Sequence, residues 1–328
     1  MYLVTGGAGF IGSNITAALE ERRSGKIVVC DRLRTGGKWR NLAKRELAEI
    51  VHPDCLPDFL EDNRNAIEAV IHMGAVSTTT ESDVDLIIDT NFKLSLRLWR
   101  WCAINGVRFI YASSAATYGD GAAGFDDDGT PEALARLRPM NPYGWSKHLF
   151  DRRVARMIMD GDPQPPQWAG LKFFNVYGPN EYHKGGQQSV AAQLFPRARA
   201  GQPARLFKSH RPDYKDGGQL RDFIWVGDCV DVVLWLLEND HAGGLFNCGA
   251  GKARSFADLA VAVYKALGKD AKIEFAPTPE NIRDRYQYFT EARMDRLRNA
   301  GYDKPFTTLE EGIARYVNGF LNADDMYR

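Results

Sequence analysis

The chain has 328 residues, enough to bury a full core and, by length, about two domains. Its 42 basic and 42 acidic residues cancel with no long like-charge run, which excludes a broad basic footprint for nucleic acid; no stretch of ~20 apolar residues could span a bilayer. The five cysteines are odd in number, scattered and without a C-x-x-C pair, so neither a disulfide framework nor a thiolate zinc site fits, and they are expected to pack as small apolar groups.

Tyr2 to Thr5 reads as an apolar strand running from the first residue straight into Gly6-Gly7-Ala8-Gly9-Phe10-Ile11-Gly12. No secretory leader is expected before it, and the expected location is the cytoplasm. Ser13 to Glu21 follows as a helix with Ile15, Ala18 and Leu19 on one face, and Lys26 to Cys30 as a second strand ending at Asp31. Strand, glycine turn, helix, strand and acid in this order describe a dinucleotide-binding unit. The glycines let the backbone approach a pyrophosphate at the helix N-terminus, and an acid about 20 residues on meets a ribose hydroxyl. Arg32 and Lys38 beside that acid suit a 2′-phosphate, which favours NADP over NAD; as solvated loop charges they would favour neither.

Leu42 to Leu60 looks helical but is interrupted by Pro53 and Pro57. Ala69 to Ala75 reads as a buried strand ending in a glycine turn, with His72 a satisfied core histidine. Asp83 to Asn105 reads as one long helix. Arg108 to Ala112 is a strand delivering Ser113-Ser114-Ala115-Ala116-Thr117-Tyr118-Gly119, whose small hydroxyls either cap a turn or serve chemistry at the carboxyl end of a parallel strand. From Asp120 to Arg138 the chain is polar, and Asp126-Asp127-Asp128 reads as part of a solvated insertion rather than a calcium loop.

Asn141-Pro142-Tyr143-Gly144-Trp145-Ser146-Lys147 starts a helix, with Asn141 as N-cap and Pro142 in the first turn. Tyr143 and Lys147 stand one turn apart on one side. Alone, the pair is either a surface Tyr and Lys or an acid/base in which the cation favours the phenolate. Leu171 to Val176 is another strand. The glycine-rich run from Asn180 to Gln188 opens a substrate-binding part, and Leu206 to Gln219 carries cations enough to meet a diphosphate. The expected division is residues 1–174 with 220–249 for the dinucleotide, and 175–219 with 250–328 for the substrate. The expected fold is α/β: a doubly wound parallel-sheet Rossmann domain with a smaller, discontinuous α/β domain.

Gly6-x-x-Gly9-x-x-Gly12, Asp31, Ser114 and Tyr143-x-x-x-Lys147 together resemble the extended short-chain dehydrogenase/reductase superfamily. FFNVYGPNEYHKG, RDFIWVGDCVDV, GLFNCGAG and AGYDKPF resemble in particular its ADP-heptose 6-epimerase family. The resemblance implies a metal-free NADP-dependent isomerase acting on ADP-heptose for lipopolysaccharide core supply. It implies a ring-like homo-oligomer, a homopentamer in that family. It places Gly6, Gly9, Phe10, Ile11, Gly12, Asp31, Arg32, Lys38, Met73, Gly74, Ala75, Val76, Ser77, Asn91, Lys147, Val176 and Lys184 along the cofactor. Tyr143 and Lys147 become the catalytic pair, Ser114 orients the reacting oxygen, and Lys184 is a second acid/base. Asn175, Phe207, Arg221 and Tyr286, with Ser114, match substrate contacts. Gly186 and Gln193 stand where the family has a serine and a histidine, and Pro53 where it has a lysine. A UDP-hexose 4-epimerase, which needs one tyrosine base, is the nearest rival. A sugar-nucleotide dehydratase lacks its acidic pair here, and a non-catalytic dinucleotide-binding protein has no need of Ser114, Tyr143 and Lys147 together.

Overall fold

The computed structural model describes residues 1–79, 81–283 and 287–328. β1 (Tyr2–Thr5), α1 (Phe10–Glu21) and β2 (Ile27–Cys30) make the first βαβ unit, and both strands are buried along their whole length. Such unbroken apolar runs belong to a parallel sheet covered on both faces. The stretch read as a broken helix instead supplies an edge strand, β3 (Glu49–Val51), before α2 (Leu56–Asp62). Pro53 and Pro57 lie in first turns, which tolerate a missing N–H, so they start short helices there rather than interrupt one.

β4 (Ala69–His72) leads through a loop to α3 (Val84–Ile87), and here the expected single helix is broken. A π-helical turn, Ile88–Lys93, intervenes before α4 (Leu94–Asn105), which ends at Gly106 with φ 66°. β5 (Arg108–Ser114) follows, then α5 (Pro131–Leu134), α6 (Pro142–Met159) and β6 (Trp168–Phe173). Beyond them lie β7 (Asn175–Tyr177), α7 (Val190–Arg199), β8 (Ala204–Phe207), β9 (Leu220–Trp225), α8 (Val226–Glu238) and β10 (Gly244–Cys248). The chain closes with β11 (Ala253–Ser255), α9 (Phe256–Ala266), β12 (Ile273–Ala276), α10 (Glu280–Arg283), α11 (Asp295–Asn299) and α12 (Leu309–Tyr316).

The central sheet is parallel throughout, in the order β3-β2-β1-β4-β5-β6-β10. That is the doubly wound α/β fold expected, and its order reverses between β1 and β4, where ligands of such sheets bind. One face is filled by Trp99, Phe109, Tyr111 and Phe150, the other by Ile15 and Leu19 of α1 against Val230 and Val233 of α8. Outside this sheet, β9 pairs with β7 and β11, and β8 with β12, around a separate apolar cluster built from α7, α9 and α12.

The acidic run at 126–128 is only partly the solvated insertion expected: Asp126 is exposed, but Asp127 is not. Asp127 is 1% exposed and accepts the Asn247 N–H at 2.7 Å, while Phe125 packs edge-on against Tyr118. Burial pushes the Asp127 carboxyl up to about 6. Cys30, Cys102, Cys229 and Cys248 are buried as expected, and Cys55 is exposed. Among the described residues no helix is long and apolar enough to cross a membrane, and no cluster of His, Cys, Asp and Glu is placed to hold a metal ion.

Candidate active site

Gly6 takes φ 66°, and a Cβ on it would stand 2.6 Å from the Gly74 Cα, so only glycine lets the turn after β1 cross the loop after β4. A Cβ on Gly12 would meet the Gly6 carbonyl oxygen at 2.2 Å. The first turn of α1 has no side-chain cap and no acid, and so presents free N–H groups to an anion. Phe10 and Ile11 lie in that turn. At the end of β2, Asp31 Oδ2 accepts the Ala8 N–H at 2.9 Å, and Oδ1 accepts from the Arg32 N–H and the Lys38 ammonium. The Arg32 guanidinium reaches across to Asp54 at 2.6 Å. This cradle fits a dinucleotide: a narrow glycine turn, an anion site, and a carboxylate with two cations beside it.

The second wall is the loop Met73-Gly74-Ala75-Val76-Ser77. Met73 and Gly74 donate to Thr5, at 3.0 Å and 3.2 Å. Asn91, fully buried in the π-helical turn, accepts the Val76 N–H at 2.8 Å and donates to the Val76 carbonyl at 2.9 Å and to Ser146 Oγ at 3.0 Å. One asparagine therefore pins this loop to the first turns of α6. His72 is the satisfied core histidine expected, bonded to Thr5 Oγ1 at 2.6 Å and Ser95 Oγ at 2.8 Å.

Asn141 caps α6 by accepting the Gly144 N–H at 2.8 Å. A Cβ on Gly144 would stand 2.7 Å from the Ala116 carbonyl, and this close approach brings Tyr143 beside Ser114. The Ser114 hydroxyl stands close enough to favour the ionised phenol. The expectation that Lys147 lowers the phenol pKa is not met. The Lys147 ammonium donates to the Ala112 carbonyl at 2.8 Å, and burial holds Tyr143 above its ordinary value against the pull of Ser114. Lys147 itself is 3% exposed and pushed down to about 8 by burial, with Asp151 pulling the other way.

Lys184 lies in a tight turn, Tyr182–Gln187, made possible by Gly185 at φ 55°. Its ammonium stands 5.4 Å from the Phe10 ring centroid, and burial lowers its pKa against the pull of Glu181. Asparagines that the sequence reading passed over hold this turn to the glycine loop. Asn14 donates to the Pro179 carbonyl at 3.0 Å, Asn41 to the carbonyls of Ala8 at 2.9 Å and Asn180 at 3.0 Å, and Asn180 to Ser13 Oγ at 3.0 Å.

Of the residues expected along substrate and cofactor, Asn175 opens β7 exposed, followed by half-buried Val176, and Phe207 is 37% exposed. Gly186 is exposed, and Gln193 donates to its carbonyl at 3.3 Å and to that of Gln188 at 2.7 Å, so the glutamine fastens the loop. Arg221 is 8% exposed, donates to the carbonyls of Leu220 and Gln287, and lies over the Phe256 ring. Tyr286 lies outside the described residues. Asp151 and Lys172 were also missed, although a lysine in the apolar run Leu171–Phe174 is a signal that a buried counter-charge is needed.

Residues 2–249 match the model of the NAD dependent epimerase/dehydratase family. The ADP-L-glycero-D-manno-heptose-6-epimerase of Nitratidesulfovibrio vulgaris (strain DP4) is 48% identical over 330 residues, covering 100% of both chains. Among solved structures, the Helicobacter pylori ADP-L-glycero-D-manno-heptose-6-epimerase is 28% identical with a TM-score of 0.79, covering 97% of this chain and 95% of that one. The Thermus thermophilus UDP-glucose 4-epimerase in complex with NAD is 27% identical with a TM-score of 0.74, covering 98% and 99%. The chain belongs to the NAD dependent epimerase/dehydratase family, within which it groups with the heptose-6-epimerases.

Proposed function

We propose that the protein inverts C6″ of ADP-D-glycero-D-manno-heptose to give the L-glycero epimer, the form supplied to lipopolysaccharide cores. A nicotinamide dinucleotide, when bound, supplies the acceptance and return of hydride; binding, orientation and proton movement fall to the chain. The N-terminus of α1 and the glycine turn hold the pyrophosphate, Asp31 a ribose hydroxyl, and Arg32 with Lys38 the 2′-phosphate that makes NADP preferred over NAD.

Inversion through a ketone that turns over in the site can use a separate proton donor or acceptor on each face of the carbon, where a 4-epimerase uses a single tyrosine. Tyr143 serves one face, with Ser114 hydrogen-bonded to the reacting oxygen, and Lys184 serves the other. Burial makes the Tyr143 phenolate harder to form and the Lys184 ammonium easier to deprotonate. In one turnover one of the two takes the carbinol proton and the other returns a proton to the ketone oxygen, and the reverse reaction exchanges their roles.

The observation that carries this reading is the place of Lys184. Its ammonium packs over Phe10 of the dinucleotide turn, with no ion pair among the described residues. A one-base 4-epimerase has no use for a desolvated amine there. The test is incubation with ADP-D-glycero-D-manno-heptose and, separately, UDP-galactose, with the epimers followed by NMR. Turnover of the heptose alone is expected, and turnover of UDP-galactose alone returns the chain to the 4-epimerase reading. Tyr143→Phe and Lys184→Met should each lose about 10²–10⁴ in rate while the dinucleotide stays bound. Near-normal turnover by Lys184→Met removes the second base.

A further inference from the structure

Behind Tyr143, Ser114 and Lys147 lies a buried ion pair that the proposed chemistry does not use. The side chains of Asp151 and Lys172 are both 0% exposed, with Lys172 Nζ 2.8 Å from Asp151 Oδ2. A buried pair of this kind adds little net stability over apolar residues of equal volume, because desolvating both ions offsets their attraction. Stability therefore does not account for it, and its other contacts suggest what does.

Those contacts converge on the carboxyl end of β5. Lys147 donates to the Ala112 carbonyl at 2.8 Å. Asp151, one turn further along α6, accepts from Ser113 Oγ at 2.7 Å and from the Tyr111 hydroxyl at 3.0 Å. Lys172 donates to Thr117 Oγ1 at 2.8 Å, and that hydroxyl donates to the Ser114 carbonyl at 2.8 Å. Residues 112, 113 and 114 are thus each held by a separate contact. Two of these run through the ion pair, and the third through a lysine on the same helix face as Asp151.

We propose that Asp151 and Lys172 are a positioning pair for catalysis, fixing the Ser114 hydroxyl beside Tyr143 and holding the end of β5 where the Ala112 carbonyl takes the Lys147 ammonium. The inference rests on the proposed roles of Tyr143 and Ser114. The titratable and charged groups facing the pair are Lys147 and His148 from α6, Tyr111 from β5 and Tyr118 from the turn after it, and His72 from β4 faces Lys147. Burial pushes His72 down to about 3 and His148 down to about 4, so neither titrates near neutral pH. Lys147 is the group in that window. Asp151 favours its ammonium, so removing the carboxylate moves its titration to lower pH.

The test uses the full chain with dinucleotide bound. The double variant Asp151→Asn/Lys172→Met removes both charges together and leaves neither orphaned. Folding is followed by circular dichroism and dinucleotide affinity by fluorescence titration. A loss of about 100-fold in kcat is expected from misplacing the hydroxyl, with KM and dinucleotide affinity held within about threefold. The basic limb of the kcat–pH profile should shift to lower pH. Thr117→Val is the second variant: it cuts only the link from Lys172 to Ser114 and leaves the pair intact, so it reads the same kcat loss at about tenfold should the double variant not fold. Wild-type kcat and an unmoved basic limb in a folded double variant overturn the proposal, as does wild-type kcat in Thr117→Val where the double variant does not fold. Tyr143→Phe, run alongside, separates the two failures. If it turns over normally the proposed chemistry fails; if it is inactive while both positioning variants are normal, only this inference fails.

Discussion

Replacing Asn91 by Ala removes, from a position with no solvent exposure, a side chain that makes three hydrogen bonds among the described residues: two to the Val76 backbone and one to Ser146 Oγ. Each such bond contributes about 0.5–1.5 kcal/mol net, for a sum of roughly 2–4 kcal/mol. Val76 is half-buried, so water can re-satisfy its backbone groups, and Ser146 Oγ keeps its bond to the Tyr143 carbonyl at 2.7 Å. Both effects place the expected cost at the lower end, about 2 kcal/mol. Urea unfolding should show it as a lower midpoint with unchanged slope, since the surface exposed on unfolding is the same. The functional cost is separate. With Val76 unpinned, the loop 73–77 must be ordered on binding, and dinucleotide affinity should fall about tenfold, equivalent to ~1.4 kcal/mol. Ser146→Ala is the control. It removes the third bond but leaves both Val76 bonds, so it should cost stability and leave dinucleotide affinity within about twofold. An Asn91→Ala protein within about 0.5 kcal/mol of wild type, or a Ser146→Ala protein that loses as much affinity, refutes the assignment of Asn91 as the pin.

Gly144→Ala places a methyl 2.7 Å from the Ala116 carbonyl, where only backbone movement relieves the clash, so α6 must draw away from Ser114. A kcat loss of about 10–100-fold is expected despite the better helix propensity, and activity within twofold of wild type contradicts it. Arg32→Ala should weaken NADP about tenfold or more and leave NAD within about twofold; an unchanged NADP/NAD affinity ratio sinks the phosphate clamp. Asp127, raised by burial to about 6, binds its proton more tightly folded than unfolded. Its contribution is therefore fully present below about pH 4 and lost as pH rises through about 6, on the order of 3 kcal/mol in all. Asp127→Asn keeps an oxygen for the Asn247 N–H, and urea midpoints across that window should lose this part of their pH slope; an unaltered slope overturns the assignment.

What could be seen in the sequence was what local geometry dictates. The glycine turn is legible because Gly6 and Gly12 answer to contacts within one βαβ unit, and the start of α6 because Asn141 and Pro142 are local capping signals. The π-helical turn at Ile88–Lys93 was not legible, since the periodicity of 84–105 is nearly helical throughout and only the reach of Asn91 to Val76 and Ser146 shows what the extra residue is for. Residue spacing put Tyr143 and Lys147 on one side of a helix, which is correct. It could not supply the Ala112 carbonyl that takes the Lys147 ammonium, because that acceptor comes from β5, thirty-five residues away. Nor could it weigh burial against charge, and so it missed the direction in which the Tyr143 phenol moves.

The Lys184 turn raises a different point, because it belongs by sequence to the part beyond the central sheet and by hydrogen bonding to the dinucleotide unit. Asn14 and Asn180 bind it to α1, and Asn41 binds it to the glycine turn itself. On its far side the Tyr182 hydroxyl donates to the Met326 carbonyl at 2.8 Å, and the Arg328 N–H to Asn180 Oδ1 at 3.0 Å. Glu181, 1% exposed, accepts from Ser189 Oγ at 2.7 Å and the Tyr316 hydroxyl at 2.9 Å, tying the same turn to α7 and α12. The second acid/base proposed for this chain needs a fixed distance from the dinucleotide while the substrate turns between two faces, and the anchoring of Lys184 to the glycine turn supports that proposal.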